Sequence, residues 1–176
     1  MSQYETITAR VQELIRKYGT RDPFVLAKEL GIEVIWSDEW TKLKGMYFYM
    51  KRRRFICLNS NLDEQMKKIV CAHEIGHDQL HRHLAKEKAL QEFMLYDMTS
   101  RPEYEANVFA AELMLDTEEV LELLNQDMTF FGAASTLGVP PELLDFKFRV
   151  LKNQGYSIHP MMICNGDFLK KINNSD

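Results

Sequence analysis

The run His73-Glu74-Ile75-Gly76-His77 constrains this chain more than any other stretch, because it sets two imidazoles four residues apart within a long apolar periodicity. At about 3.6 residues per turn, such positions lie roughly 40° apart around a helix and about 6 Å apart along it. Leu62, Met66, Ile69 and Leu80 project to the same side as His73. Both histidines are therefore expected on the buried stripe of an amphipathic helix running from Leu62 through His83. Two imidazoles without partners on a buried face are destabilising, so a pair of ordinary core histidines accounts for them poorly. A shared metal accounts for them well, since both rings can reach one zinc ion at about 2.0–2.1 Å. Glu74 follows about 100° around the same turn, near the metal without competing as its ligand. There it can take a proton from the attacking water and later deliver it to a leaving amine.

Catalytic zinc usually has three protein ligands, so a third must come from elsewhere. His83 lies ten residues after His73, the spacing of the third histidine in metzincins, but the glycine that swings that ligand back is replaced here by Leu80. In a continuing helix His83 stands about 15 Å along the axis from His73 and His81 about 12 Å, so neither reaches the same ion. His81 is expected to end the helix and bond a carbonyl. The carboxylate candidates are Glu103 and Glu105, on the next strongly periodic segment, Glu103 to Leu115.

The rest of the chain predicts an α+β fold, a small mostly antiparallel sheet packed by the helices that follow it. An amphipathic helix to Tyr18 presents Ile7, Val11, Leu14 and Ile15, and Asp22-Pro23 caps a short helix that Gly31 ends. Glu33 to Trp36 reads as a strand. Met46 to Met50 and Phe55 to Asn59 read as a hairpin around the solvated turn Lys51-Arg52-Arg53-Arg54. Met46 to Met50 is also the expected edge strand for an extended substrate. Leu84 to Pro102 predicts a short helix and a loop, and Asp116-Thr117 caps a further helix.

Residues 1–176 read as one domain, with a C-terminal helical hairpin at about 128–153. Ala134, Gly138 and Leu144 in that hairpin have helix-turn-helix spacing, but its second helix opens on acids with no base at the reading end. With a net charge of −4, this argues against direct contact with nucleic acid. The N-terminus lacks the apolar core of a signal peptide, and no apolar run approaches the roughly 20 residues that span a bilayer. Cys57, Cys71 and Cys164 show no paired spacing and read as reduced, buried thiols. A cytoplasmic protein is expected.

HEIGH, followed some 25 residues later by Glu103-Tyr104-Glu105-Ala106-Asn107-Val108-Phe109-Ala110-Ala111-Glu112-Leu113, resembles the ImmA/IrrE family of metallopeptidases, within the gluzincins. The early D-P-F-x-L-A-x-E-L-G-I stretch and the C-L-N strand resemble it too, while Asp116 stands where that family often has proline. The resemblance implies a minimal gluzincin-like fold and a zinc endopeptidase that inactivates a helix-turn-helix repressor of a phage, mobile element or stress regulon. It implies His73 and His77 as zinc ligands, Glu74 as general base, the glutamate of E-x-x-A-N as third ligand and Asn107 as the residue steadying a ligand.

Geometry favours Glu103 over Glu105, since Ala106, Asn107, Ala110 and Met114 lie within about 60° of it. That face is small enough for close helix approach, and Gly76 offers the matching gap. Glu105 falls beside Glu112 on what reads as a solvated stripe. Tyr104, Tyr156 and His159 are candidate oxyanion donors. An alternative of another class is a non-proteolytic anti-repressor binding module with a structural zinc site. An intact Glu74 favours the enzyme, because a structural site needs no base.

Overall fold

The computed structural model describes residues 2–86, 89–92, 96, 100–125 and 128–158. Ser2 opens α1 (Gln3–Tyr18) with a reciprocal cap: its hydroxyl accepts from the Glu5 amide, and the Glu5 carboxylate accepts from the Ser2 amide. Ile7, Val11 and Leu14 bury one face of this helix. Asp22 caps α2 (Pro23–Glu29) by accepting from the Phe24 and Val25 amides, with Pro23 in the first turn, where its missing N–H is not needed.

The sheet has the order β1-β3-β2-β4, built from β1 (Ile32–Ser37), β2 (Gly45–Met50), β3 (Arg53–Asn59) and β4 (Leu90–Glu92). β1 runs parallel to β3, and the other two pairings are antiparallel. The fold is α+β, as expected, but β2 is not an edge strand. β4 pairs with its first half, Gly45 to Tyr47, through a contact distant in sequence.

The basic turn also differs from expectation. Lys51 (φ 49°) and Arg52 (φ 64°) alone form it, in the left-handed pair of conformations that matches the twist of a hairpin. Arg53 and Arg54 already belong to β3. Arg54 turns inward, donating to the buried Asp78 carboxylate at 3.1 Å and to the Leu30 carbonyl.

Asp63 caps α3 (Glu64–Leu80) by accepting from the Met66 amide. Every residue from Ile69 to Asp78 is buried, so this stretch is enclosed on all sides and carries no single apolar stripe. The helix stops at Leu80 and does not reach His83: His81 (φ −124°, ψ 18°) breaks it before the single turn α4 (Arg82–Ala85). α5 (Arg101–Met114) packs along α3. Gly76 is the contact point, because a Cβ there would stand 3.1 Å from both the Ala106 Cα and the Phe109 Cβ. Beneath α3, Tyr47 of β2 donates to Asp78 at 2.7 Å, and Arg82 reaches the same carboxylate at 3.0 Å. Burial, and then the neighbouring Asp78 charge, push the Tyr47 phenol above its ordinary range.

The chain to Met114 forms one compact unit and a second begins at Leu115. The second unit holds α6 (Thr117–Asn125), α7 (Phe130–Thr136) and α8 (Pro141–Asn153). Asp116 caps α6 by accepting from the Glu118 and Glu119 amides. α7 and α8 are joined by a turn at Gly138 (φ 65°) and pack through Phe130 against Phe148. Among the described residues, no helix is long and apolar enough to cross a membrane.

Candidate metal centre

α3 presents His73 and His77, both essentially without solvent exposure, and α5 brings Glu103 to them. The His73 and His77 Nε2 atoms are 3.1 Å apart, and Glu103 Oε2 lies 3.1 Å from the first and 3.5 Å from the second. Donors placed tetrahedrally around a zinc ion at about 2.0–2.1 Å would stand about 3.3–3.4 Å from one another. The three atoms fit such an ion with adjustments of a few tenths of an ångström.

The protonation pattern suits a metal as well. Burial pushes the His77 imidazole down to about 4, which keeps it neutral. Against the opposing effect of burial, the close approach of the His73 and His77 rings holds the Glu103 carboxyl well below the usual carboxylate range. Neutral imidazoles and an ionised carboxylate are the ligand states that a metal requires. Asn107 lies one turn after Glu103, its Oδ1 3.0 Å from His73 Nδ1. An amide oxygen only accepts, so the His73 proton sits on Nδ1 and the Nε2 lone pair faces Glu103 and His77.

Glu74 is wholly buried on the side of α3 that meets the sheet. A Cβ on Gly45, the first residue of β2, would stand 2.6 Å from Glu74 Oε1, so glycine there is what admits the carboxylate. Burial first, and the Glu74 charge second, push up the thiols of Cys57 and Cys71, both free and buried. Cys164 lies outside the described residues.

The other candidates fall elsewhere. His83 is exposed on α4 and is not part of the cluster. His83→Ala is accordingly expected to leave zinc content and turnover near wild type, checked by metal analysis and a peptidase assay. Loss of metal in that variant would contradict the site described here. Glu105 does not join the three converging donors. Its companion on the expected solvated stripe, Glu112, is fully buried, so that stripe does not exist. Tyr104 places its hydroxyl 2.5 Å from that of Tyr4, Tyr156 is exposed, and His159 lies outside the described residues.

Sequence reasoning missed the roles of Gly45 and His81. Among the described residues the His81 side chain bonds no carbonyl, contrary to expectation: Nδ1 stands 3.1 Å from His77 Nδ1 and Nε2 stands 2.8 Å from Glu105 Oε2. One signal was available, because His81 repeats the four-residue spacing of His73 and His77.

A helix, buried through its middle, carrying two histidines with a glutamate between them and packed by a second helix that supplies a carboxylate, is the framework of the HExxH metallopeptidases. The chain belongs to the IrrE N-terminal-like domain family, peptidase family M78, which it matches over residues 27–149. It is 40% identical over 151 residues to "Uncharacterized immunity region protein 2" of Bacillus phage phi105, a match covering 85% of this chain and 94% of that protein. It is 26% identical over 143 residues to "Metallopeptidase ImmA" of Bacillus subtilis (strain 168), covering 80% of this chain and 83% of the relative.

Proposed function

We propose that this protein is a zinc-dependent endopeptidase acting in the cytoplasm on a protein partner, a helix-turn-helix transcriptional repressor of a phage, mobile element or stress regulon. The observation that carries the reading is the convergence of His73, His77 and Glu103, with a buried Glu74 next to His73 in α3. In this reading His73, His77 and Glu103 hold the metal, and Asn107 fixes the His73 ring. Zinc, when bound, supplies Lewis acidity to the water and to the scissile carbonyl. Glu74 takes the proton of the attacking water and passes it to the departing amine. The name of the phage relative, an immunity region protein, supports a repressor as the partner. The acidic opening of α8 and the net charge of −4 support a protein partner over DNA.

The test is incubation of the zinc-loaded chain with repressors encoded beside its gene, followed by mass spectrometry of the products. Cleavage at one internal peptide bond of one repressor is the expected result. A repressor that stays intact while its reporter is switched on would overturn the reading.

A further inference from the structure

We propose that His81 and Glu105 are positioning residues for the metal centre, holding the His77 ring in the tautomer whose Nε2 lone pair faces His73 and Glu103. The inference rests on the preceding assignment of His73, His77 and Glu103 as metal ligands. It follows from the order of donors and acceptors along one chain of side chains.

Glu105 Oε2 stands 2.8 Å from His81 Nε2, and an ionised carboxylate can only accept. His81 therefore carries its proton on Nε2 and keeps a lone pair on Nδ1. That lone pair stands 3.1 Å from His77 Nδ1, so the proton between the two rings belongs to His77. With its proton on Nδ1, His77 leaves Nε2 bare, and Nε2 is the atom that lies 3.1 Å from His73 Nε2 and 3.5 Å from Glu103 Oε2. One acceptor-only group at the far end thus sets the direction of every bond between it and the metal centre.

The chain is anchored and sheltered. Arg101 Nε donates to the other Glu105 oxygen at 2.7 Å, which fixes the carboxylate. The His81 and Glu105 side chains are only 5% and 14% exposed, so water competes weakly for these bonds. The two ligand rings are then held alike from outside, His73 by Asn107 directly and His77 by Glu105 through His81. Glu103, Glu105 and Asn107 all come from α5, so this one helix supplies a ligand and orients both of the others. Partners of this kind typically contribute 10–100-fold to metal affinity.

The experiment measures zinc affinity of the full chain by competition with a chromophoric chelator. His81→Phe removes the acceptor and is expected to bind zinc about 10–100-fold more weakly. His81→Asn places an amide oxygen where Nδ1 stood and is expected to recover most of that loss, which a purely space-filling role would not produce. A second readout is isotope-edited NMR of the histidine ring nitrogens in the unmutated, zinc-loaded chain. It is expected to show His81 protonated at Nε2 and bare at Nδ1, and it decides the matter even if His81→Phe does not fold. His81 protonated at Nδ1, or His81→Phe binding zinc as tightly as wild type, would overturn the proposal. Absence of zinc binding by the wild-type chain would overturn the metal centre itself, a result distinct from wild-type binding that His81→Phe leaves unchanged.

Discussion

Replacing Glu74 with glutamine is expected to leave about one zinc per chain in place while lowering turnover by at least two orders of magnitude, roughly the contribution of a positioned general base. The two halves of that result have separate physical reasons. Metal retention follows because Glu74 is not one of the three converging donors, and because glutamine has nearly the same volume and shape. Shape matters here more than at most sites. The carboxylate is fully buried, and the space beside it exists only because residue 45 is glycine. Glutamine fits that space, whereas a bulkier change would test packing instead of chemistry.

Loss of turnover follows because an amide cannot accept and then return a proton at neutral pH, although it still fills the position and can still hydrogen-bond. Two orders of magnitude correspond to about 2.7 kcal/mol of transition-state stabilisation. The same variant separates the enzyme from a module that antagonises a repressor by binding alone. An enzyme loses repressor inactivation in a reporter strain while keeping the physical interaction, and a binding module keeps both. The check is a peptidase assay with metal analysis on the same preparation. Full activity in Glu74→Gln would sink the mechanism.

What could be read from the sequence divides along a physical line. Features set by neighbours in the chain were legible. Asp22-Pro23 and Asp116 cap helices because a side-chain oxygen two or three residues upstream can reach the free amides of the first turn. The small face of α5 and the gap at Gly76 were legible too, since close helix approach needs little more than the absence of side chains.

Features set by partners far along the chain were not legible. His81 could be read as the residue that ends α3, but the partner of its ring, Glu105 on another helix, could not. Arg54 looked like part of a solvated run because Asp78, which draws it inward, lies 24 residues away. β2 looked like an edge because β4 is only three residues long, too short to leave a periodic trace. Glu112 shared a helical face with Glu105, and that arrangement reads as solvent-facing until the burial of Glu112 is known. In the metal centre, the spacing of His73, Glu74 and His77 was enough to bring them together. The small face of α5 and the gap at Gly76 already pointed to Glu103 as the carboxylate that joins them.

Glu103→Ala is expected to weaken zinc binding by a hundredfold or more, at least ten times the loss in Glu105→Ala. A zinc ion held by protein ligands alone can contribute about 10–16 kcal/mol. Removing one of three such ligands should therefore cost several kcal/mol, and every 1.4 kcal/mol is a factor of ten. Glu103 makes close approaches to both histidines, 3.1 Å and 3.5 Å from their Nε2 atoms, so its loss opens the site directly. Glu105 instead meets His81 at 2.8 Å and Arg101 at 2.7 Å, one imidazole removed from the nearest ligand. Its loss frees the direction of the His81–His77 bond and leaves all three ligands present, an effect in the lower part of the 10–100-fold range for outer partners.

The ordering of the two variants carries the assignment, and it does not depend on the absolute affinity. Chelator competition on both variants beside wild type measures it, with circular dichroism of each metal-free chain to show that the fold survives. Glu103 also stands in the first turn of α5, where a negative charge favours the helix in its own right. Glu103→Gln controls for that: it forfeits the same charge at the helix terminus yet keeps a weak oxygen donor, so an intermediate affinity is expected. Should Glu105→Ala lose the metal while Glu103→Ala retains it, the third ligand has been assigned to the wrong glutamate.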